Sequence, residues 1–385
     1  MRIRRTALAA RRAAVGYSQE ALAEKLGVDR TTIARWEHGQ GKPQPWTRPK
    51  LAAALGISVD QLGTLLDNPL PSWAVASPPS PVATPDLAAT IASQLPTLRQ
   101  VLDACDMPDD GPTRSIGQLR DVVTAVVGHR LESNYGLLAR ELPALLSELM
   151  RARLSCSDSV RGEIAGLLVQ AYRAADAVAD KYGHYDLSAR IIELMRQTAQ
   201  ETDDELVSAA VSYVRTEVFF ANGKLDTGRR LLEHAASSMT PGRSASAAAT
   251  YGALHMRAAV TAARARQPGL ARDHLAEAEQ AAQRAPEGVY LGTAFGPSSV
   301  RIHQVSLGVE LGDVGAALTA ARNWIPSPAI PAERRSHFYI DVARAHMQAG
   351  AHDNARAALF SAQSIAPEHT NSHPLVREMV GQFAR

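Results

Sequence analysis

Apolar residues recur at helical spacing near the start of the chain, and polar residues mark the ends of each run. Ser18 precedes one such run and Gly27 follows it, which predicts a capped helix between them. A second helix is predicted between Asp29, as N-cap, and Gly39, as the stop. Only three residues separate the two helices, so a tight turn must join them. The predicted inward-facing positions are Leu22, Leu26, Val28, Ile33 and Trp36.

From about residue 133 to the end, the pattern predicts consecutive helices and lacks the alternating β-branched runs that predict strands. A glycine recurs every 38 to 45 residues, at Gly183, Gly223, Gly312 and Gly350, with a degenerate copy at residues 267–271. A small residue follows each turn. This spacing fits pairs of helices stacked as a solenoid, and an irregular helical bundle is the alternative. The predicted fold class is all-α.

Changes in composition predict four segments. Residues 1–67 form a small domain that is dense in helix signals, and residues 68–85 form a Pro/Ser-rich linker. Residues 86–131 are predicted as connecting helices, broken by a polar loop at 106–115. Residues 132–385 form the helical repeat domain.

Residues 4–66 resemble the Cro and lambda-repressor-like helix-turn-helix domain, also called the xenobiotic-response-element class. The match is carried by SQEALAEKLGVDRTTIARWEHG, followed by a proline and the helix LAAALGIS. The resemblance implies that Gln19 contacts a DNA phosphate and that Lys42 contacts the DNA backbone. It also implies that Arg12 pairs with Glu37 to join the first helix to the recognition helix. It places three side chains against the bases of a major groove: Arg30, Thr31 and Arg35.

Arginine donates two hydrogen bonds to guanine, whereas contacts to phosphates supply affinity without reading sequence. Arginines at positions 30 and 35 therefore suggest guanine contacts. The alternatives stay open: Arg30 on a phosphate, Thr31 supporting the Asp29 cap and Arg35 paired with an acid. Arg2, Arg4 and Arg5 form either an arm along the duplex or a solvated tail.

The last repeat resembles the tetratricopeptide pattern at Tyr339, Val342, Ala343, His346, Gly350, Ala355, Leu359, Ala362 and Pro367, and the earlier copies depart from it. Such repeats form a groove lined by the first helix of each pair. The predicted groove residues are Arg173, Lys181, Tyr213, Glu217, Phe220, Met256, Arg264, Glu310, His337 and Arg344. This mixture of charged and aromatic residues favours a polar ligand over a lipid. Each residue can also be an ordinary solvated or packing residue.

The net charge of +2 is unevenly divided, because residues 1–66 carry a net charge of +6 and the remainder a net charge of −4. A basic head on a mildly acidic body is typical of a DNA-binding domain joined to one that does not bind DNA, although uneven surface charge is the alternative. Single domains of this class bind as dimers on paired half-sites. We therefore expect a homodimer and a double-stranded DNA operator as partners.

The combined architecture resembles the peptide-sensing regulators of Gram-positive bacteria. That resemblance implies a transcriptional regulator whose repeat domain binds a peptide, a small molecule or a protein partner. The alternative is a protein-interaction scaffold whose head serves docking or dimerisation. The phosphate-loop and HExxH motifs are absent, which argues against an enzyme.

No metal or cofactor is expected, because the twelve histidines are scattered and Cys105 and Cys156 lack metal-type spacing. No signal-peptide core and no membrane-spanning apolar stretch is recognised, so a cytoplasmic, nucleoid-associated location is expected.

Overall fold

In the computed structural model, the described residues are 8–9, 11–12, 15, 17–57, 59–66 and 85–383. The predicted linker at residues 68–85 lies outside these ranges except for its last residue, and so does the basic tail at Arg2, Arg4 and Arg5. The chain divides into two compact units, residues 1–82 with 219–224, and residues 83–218 with 225–385. Each unit is described separately below.

In the described N-terminal part of the first unit, residues 8–9 and 11–12 are helical, and four short helices with described bounds surround one apolar core. They are α1 (Gln19–Leu26), α2 (Arg30–Glu37), α3 (Arg48–Leu55) and α4 (Val59–Leu66). The core residues include Leu22, Ile33, Leu51, Leu55 and Leu62, each at most 2 % exposed. Of the predicted inward positions, Leu22, Leu26, Ile33 and Trp36 are buried, and Val28 is half-buried against the same core.

The second unit contains the remaining helices, except that residues 219–222 at the end of α10 belong to the first unit. It begins with α5 (Pro85–Asp103), α6 (Ile116–Leu131), α7 (Tyr135–Ser155), α8 (Asp158–Lys181) and α9 (Tyr185–Ala199). It continues with α10 (Glu205–Asn222), α11 (Leu225–Ser237), a short 3-10 turn (Pro241–Arg243), α12 (Ala245–Arg264) and α13 (Pro268–Ala282). It ends with α14 (Pro297–Leu311), α15 (Val314–Ala321), α16 (Ala332–Gln348), α17 (His352–Ile365), α18 (Pro367–Ser372) and α19 (Pro374–Phe383). Helices α5 and α6 share one apolar core with helices α7 to α13.

Glycines at the predicted turns have left-handed backbone conformations. The φ angles are +84° at Gly183, +74° at Gly223, +77° at Gly312 and +75° at Gly350. An L side chain is strained in this region, so glycine favours ending one helix there and starting the next. In the degenerate copy, Arg266 adopts φ +62° instead. The all-α prediction is confirmed: the chain carries the small helical head and a series of helix pairs.

A two-stranded hairpin that the sequence pattern did not predict lies between α13 and α14. Strand β1 (Gly288–Tyr290) pairs antiparallel with β2 (Thr293–Phe295), with Val289 opposite Ala294. Leu291 and Gly292 form the turn, and both have positive φ, as tight two-residue hairpins require. Glu287 fixes the hairpin to the start of α14, where its carboxylate accepts a hydrogen bond of 2.7 Å from the Ser298 backbone N–H.

Candidate functional site

The turn between α1 and α2 is built by local interactions that the sequence predicts. The Ser18 hydroxyl accepts a hydrogen bond of 3.0 Å from the Ala21 backbone N–H, and Gly27 adopts φ +67° after the last residue of α1. These two features confirm the predicted start and stop of α1. Asp29 does occupy the N-cap position of α2, but its side chain makes no capping hydrogen bond. Helix α2 ends at Glu37, and the predicted stop Gly39 follows with φ +70°.

Helix α2 has one buried face and one exposed face. Ile33, Trp36 and Glu37 point into the unit, whereas Arg30, Thr31 and Arg35 are exposed. Arg30 lies 2.7 Å from Glu20 of α1, but both side chains are more than 60 % exposed, at 63 % and 64 %. Water screens such a pair strongly, so the guanidinium can exchange this partner for a phosphate or a base. The exposed face of α2 therefore presents two guanidinium groups and a hydroxyl.

A buried carboxylate fixes α2 against the residues that precede it. Glu37 is 7 % exposed, and its Oε1 accepts a hydrogen bond of 2.6 Å from Arg12 Nε, the pair that the family resemblance implies. Gln19 Nε2 donates to the other carboxylate oxygen at 2.7 Å. The Gln19 amide, predicted to contact a phosphate, thus holds Glu37 in this structure. Lys42 is half-buried in the loop after α2.

A second candidate site is a cavity of about 170 Å³ inside the second unit. Its wall comes mainly from the first helices of successive pairs, α8, α10, α12, α14 and α16, together with α6 and β2. Polar contacts join these helices around it. Arg257 of α12 donates to Glu217 of α10 at 3.1 Å, and Glu310 of α14 accepts from Arg264 at 3.3 Å and from Arg344 of α16 at 3.1 Å.

The missed hairpin closes one side of this cavity. Arg173 donates to the Leu291 carbonyl at 2.7 Å and to Thr293 Oγ1 at 2.8 Å, and Arg130 donates to the Gly292 carbonyl. Both partners of Arg173 are neutral. Among the described residues, no carboxylate lies within ion-pair distance of Arg173 or of Arg334, which also lines the cavity. Two half-buried cations therefore line this space without a carboxylate within ion-pair distance among the described residues.

The cavity wall has an excess of positive charge. Its lining includes seven Arg or Lys side chains and six Asp or Glu side chains. Burial and the neighbouring Glu217 carboxylate raise the pKa of Asp176 well above its usual value, and the same two causes raise that of Asp180 to about 6. The neutral form of Asp176 is thus favoured, which removes a negative charge from the cavity wall and increases its net positive charge. Burial and Arg130 lower the pKa of Arg173 to about 10, still well above neutral pH.

The structure brings most of the predicted groove residues together around this cavity. Those that line it are Arg173, Lys181, Tyr213, Glu217, Arg264, Glu310, His337 and Arg344. Met256 was predicted to face the groove, but it is fully buried in the apolar core, because α12 is packed on several sides. Phe220 is half-buried near the end of α10 and is not among the lining residues. Lining residues that the sequence did not predict include Arg130, Asp176, Asp180, Arg257, His303, Ser306, Glu333, Arg334 and Asp341.

Comparisons with known proteins identify the head. The chain matches the helix-turn-helix family over residues 8–62. The N-terminal unit is a helix-turn-helix domain. A search of curated proteins found no match.

Two solved structures resemble the chain weakly. BtubC (BKLC) from P. vanneervenii is 16 % identical, with a TM-score of 0.40, over 61 % of this chain and 94 % of its own. Bacillus thuringiensis PlcR, in complex with the peptide PapR7 and DNA, is 12 % identical, with a TM-score of 0.29, over 72 % of this chain and 94 % of its own. TM-scores this low do not establish a common fold.

In a helix-turn-helix domain, the second helix of the motif is the one that enters the major groove. Helix α2 has that position here, and its exposed residues are Arg30, Thr31 and Arg35. The helix-turn-helix domain supports a DNA-binding transcriptional regulator. Within the described residues, no helix is long and apolar enough to cross a membrane.

Proposed function

We propose that the protein is a sequence-specific transcriptional regulator that binds its operator as a homodimer through α2. The exposed face of α2 is the observation that carries this proposal. Arg35 and Arg30 donate to guanine edges, Thr31 contacts an adjacent base, and Gln19 and Lys42 contact the DNA backbone. Phosphate contacts supply affinity, and the base contacts select the sequence.

The dimer follows from the size of the helix-turn-helix domain. One such domain buries a small interface on DNA and reads a short half-site, which limits both affinity and specificity. Two copies placed about one helical turn apart read a pseudo-palindromic operator. We expect analytical ultracentrifugation of the full chain with operator DNA to give two chains per duplex, whereas one chain per duplex would contradict the dimer.

The second unit is proposed to bind a small anionic signal molecule in its cavity. Arg173 and Arg334 face this space without a carboxylate within ion-pair distance among the described residues, and Asp176 favours its neutral form. An anion would supply the missing negative charge. The cavity, at about 170 Å³, is small for a peptide, since pockets for drug-sized ligands occupy roughly 300–1,000 Å³.

DNA binding can be tested with the purified full chain. In vitro selection from a random duplex library is expected to yield a two-fold symmetric motif, and fluorescence anisotropy then measures affinity for that motif and for a scrambled duplex. Arg35→Ala should weaken operator binding by at least about thirtyfold, because the dimer loses two bidentate guanine contacts that each discriminate by about 1–3 kcal/mol. Arg161→Ala is the matched control, since it removes an exposed arginine from the second unit.

Failure to select any motif would remove the regulator proposal and favour a protein-interaction scaffold. Equal losses of affinity in Arg35→Ala and Arg161→Ala would show that α2 is not the reading helix. A circular dichroism spectrum unchanged from wild type is required of both variants.

Ligand binding has a separate test. Thermal unfolding of the full chain is measured against a panel of carboxylate and phosphate compounds. Arg173→Gln should abolish the stabilisation that a bound anion produces, whereas Arg161→Gln, on the same helix but exposed, should retain it. An equal response in both variants would place the anion elsewhere.

A further inference from the structure

Three histidines that are distant in sequence lie together beside the cavity. His337 is on α16, His369 is on α18, and His373 follows α18. Each offers a ring nitrogen, and these nitrogens all lie within 4.8 Å of one another. The ring centroids are 5.6 to 6.0 Å apart. No other group of this kind occurs within the described part of the chain.

The hydrogen bonding of His369 leaves one of its nitrogens available. Ser336 donates its hydroxyl proton to the Glu333 carbonyl at 2.9 Å, so its oxygen accepts a bond of 2.6 Å from His369 Nδ1. This bond places the proton on Nδ1 and a lone pair on Nε2. His369 is fully buried, and its Nε2 has no hydrogen-bond partner. A hydrogen bond that orients one ring nitrogen while the other stays free is typical of metal-binding histidines.

A second imidazole nitrogen of the cluster is also buried without a hydrogen-bond partner. His373 Nδ1 is buried and has no hydrogen-bond partner. Two orphaned imidazole nitrogens in one cluster are costly, because buried polar atoms are nearly always satisfied by a protein group, a water or an ion. An ion shared by the cluster would satisfy both.

The neighbouring charges are mixed. Lys181 and Arg334 lie close enough to His337 to oppose a cation there. The Glu333 carboxylate lies 3.8 Å from Lys181 Nζ and offsets part of this positive charge. Burial alone would raise the pKa of Glu333, but the Lys181, Arg130 and Arg334 cations lower it to about 2, so it is ionised. Asp341, whose Oδ2 lies 3.6 Å from His337 Nε2, adds a second carboxylate beside the cluster.

We propose that His337, His369 and His373 bind a divalent transition-metal ion of the zinc class. Imidazole nitrogen is a preferred ligand of zinc, and three histidines leave one position of a tetrahedral ion for water or another ligand. Zinc–nitrogen bonds are about 2.0–2.1 Å long, so binding draws the three rings closer together. Because His337 also lines the cavity, the bound ion adds positive charge at the cavity wall.

The proposal is tested on untagged full-length protein, since a histidine tag would bind zinc itself. After treatment with a chelator and its removal, Zn²⁺ is titrated against a competing chromophoric chelator. The expected result is one Zn²⁺ per chain, with an affinity at least about tenfold weaker in His337→Gln and in His373→Gln. His346→Gln is the matched control, because His346 lies on α16 outside the cluster, and it should bind like wild type.

Cobalt gives an independent measurement. The Co²⁺ form of the wild type should show the intense visible absorption of a four-coordinate site, and the two cluster variants should lose it. Absence of stoichiometric Zn²⁺ binding by the wild type would overturn the proposal. Equal affinity in wild type and both cluster variants would overturn it too, because the metal would then bind elsewhere. Operator binding by the chelator-treated protein is a separate readout, so failure of the metal site is distinguishable from failure of the DNA-binding proposal.

Discussion

At the scale of single residues, the Glu37 carboxylate holds together the part of the helix-turn-helix domain that orients α2. It is buried, and it accepts hydrogen bonds from Arg12 and Gln19. Glu37→Ala leaves the largely buried Arg12 guanidinium without its carboxylate partner, and the Tyr17 carbonyl remains as an acceptor. We expect this variant to lose about 3–5 kcal/mol of unfolding free energy, measured by urea unfolding followed by tryptophan fluorescence. Glu24→Ala, at an exposed position of α1, should change the unfolding free energy by less than about 0.5 kcal/mol. Equal changes in the two variants would contradict this role.

Residues whose partners are close in sequence were the ones that sequence reasoning placed best. Ser18 and Gly27 act on their own helix, so their capping roles follow from local chemistry alone. The Arg12 and Glu37 pair joins distant positions, and only the family resemblance indicated it. The histidine cluster was missed because His337 and His369 meet through the packing of α16 against α18. The spacing of His369 and His373, four residues apart, was the one local signal for it.

At the scale of elements, helix α14 approaches α15 closely at Gly308. A methyl group on Gly308 would lie 2.8 Å from the Ala317 backbone nitrogen, closer than van der Waals contact permits. Gly308→Ala should therefore push the helices apart and destabilise the second unit by about 1–3 kcal/mol. Gly166, inside α8, has open space around it, so Gly166→Ala should instead stabilise by roughly 0.5–1 kcal/mol through helix propensity. Calorimetric melting of both variants tests this, and a shift of the same sign in both would contradict it.

Helical periodicity predicted which faces of α8, α10, α14 and α16 point inward, because the turn glycines fix where each pair begins. It could not predict the hairpin at β1 and β2. Each strand is only three residues long, too short for an alternating pattern to stand out, and the Leu291 and Gly292 turn was the only available signal. The hairpin carbonyls that bind Arg173 and Arg130 were therefore missed as well.

At the scale of the whole molecule, the buried histidines predict a dependence of stability on pH. Burial lowers the pKa of His303 to about 3, below the value of about 6.5 expected in the unfolded chain. The unfolded chain therefore binds more protons between these values. The contribution of His303 is fully present above about pH 6.5 and is lost as the pH falls toward 3. Asp180 has the opposite effect on the pH dependence of stability. Because its pKa is raised to about 6, its contribution to folding is present at low pH and is lost as the pH rises through 6.

The His303 contribution can be isolated by comparing variants. The drop in melting temperature between pH 7 and pH 5.5 should be smaller in His303→Gln than in the wild type, because the variant has no imidazole to protonate on unfolding. His346→Gln serves as the comparison for a less buried histidine, and its drop should stay close to that of the wild type. An identical drop in the wild type and His303→Gln would show that His303 is not a buried neutral group.

The central claim is that the exposed face of α2 reads DNA sequence, and repeating the operator selection with Arg35→Ala tests it most directly. If Arg35 contacts a guanine, the variant should select the wild-type motif with the preference lost at one symmetric pair of positions and retained at the others. A motif identical to that of the wild type at every position would contradict the claim.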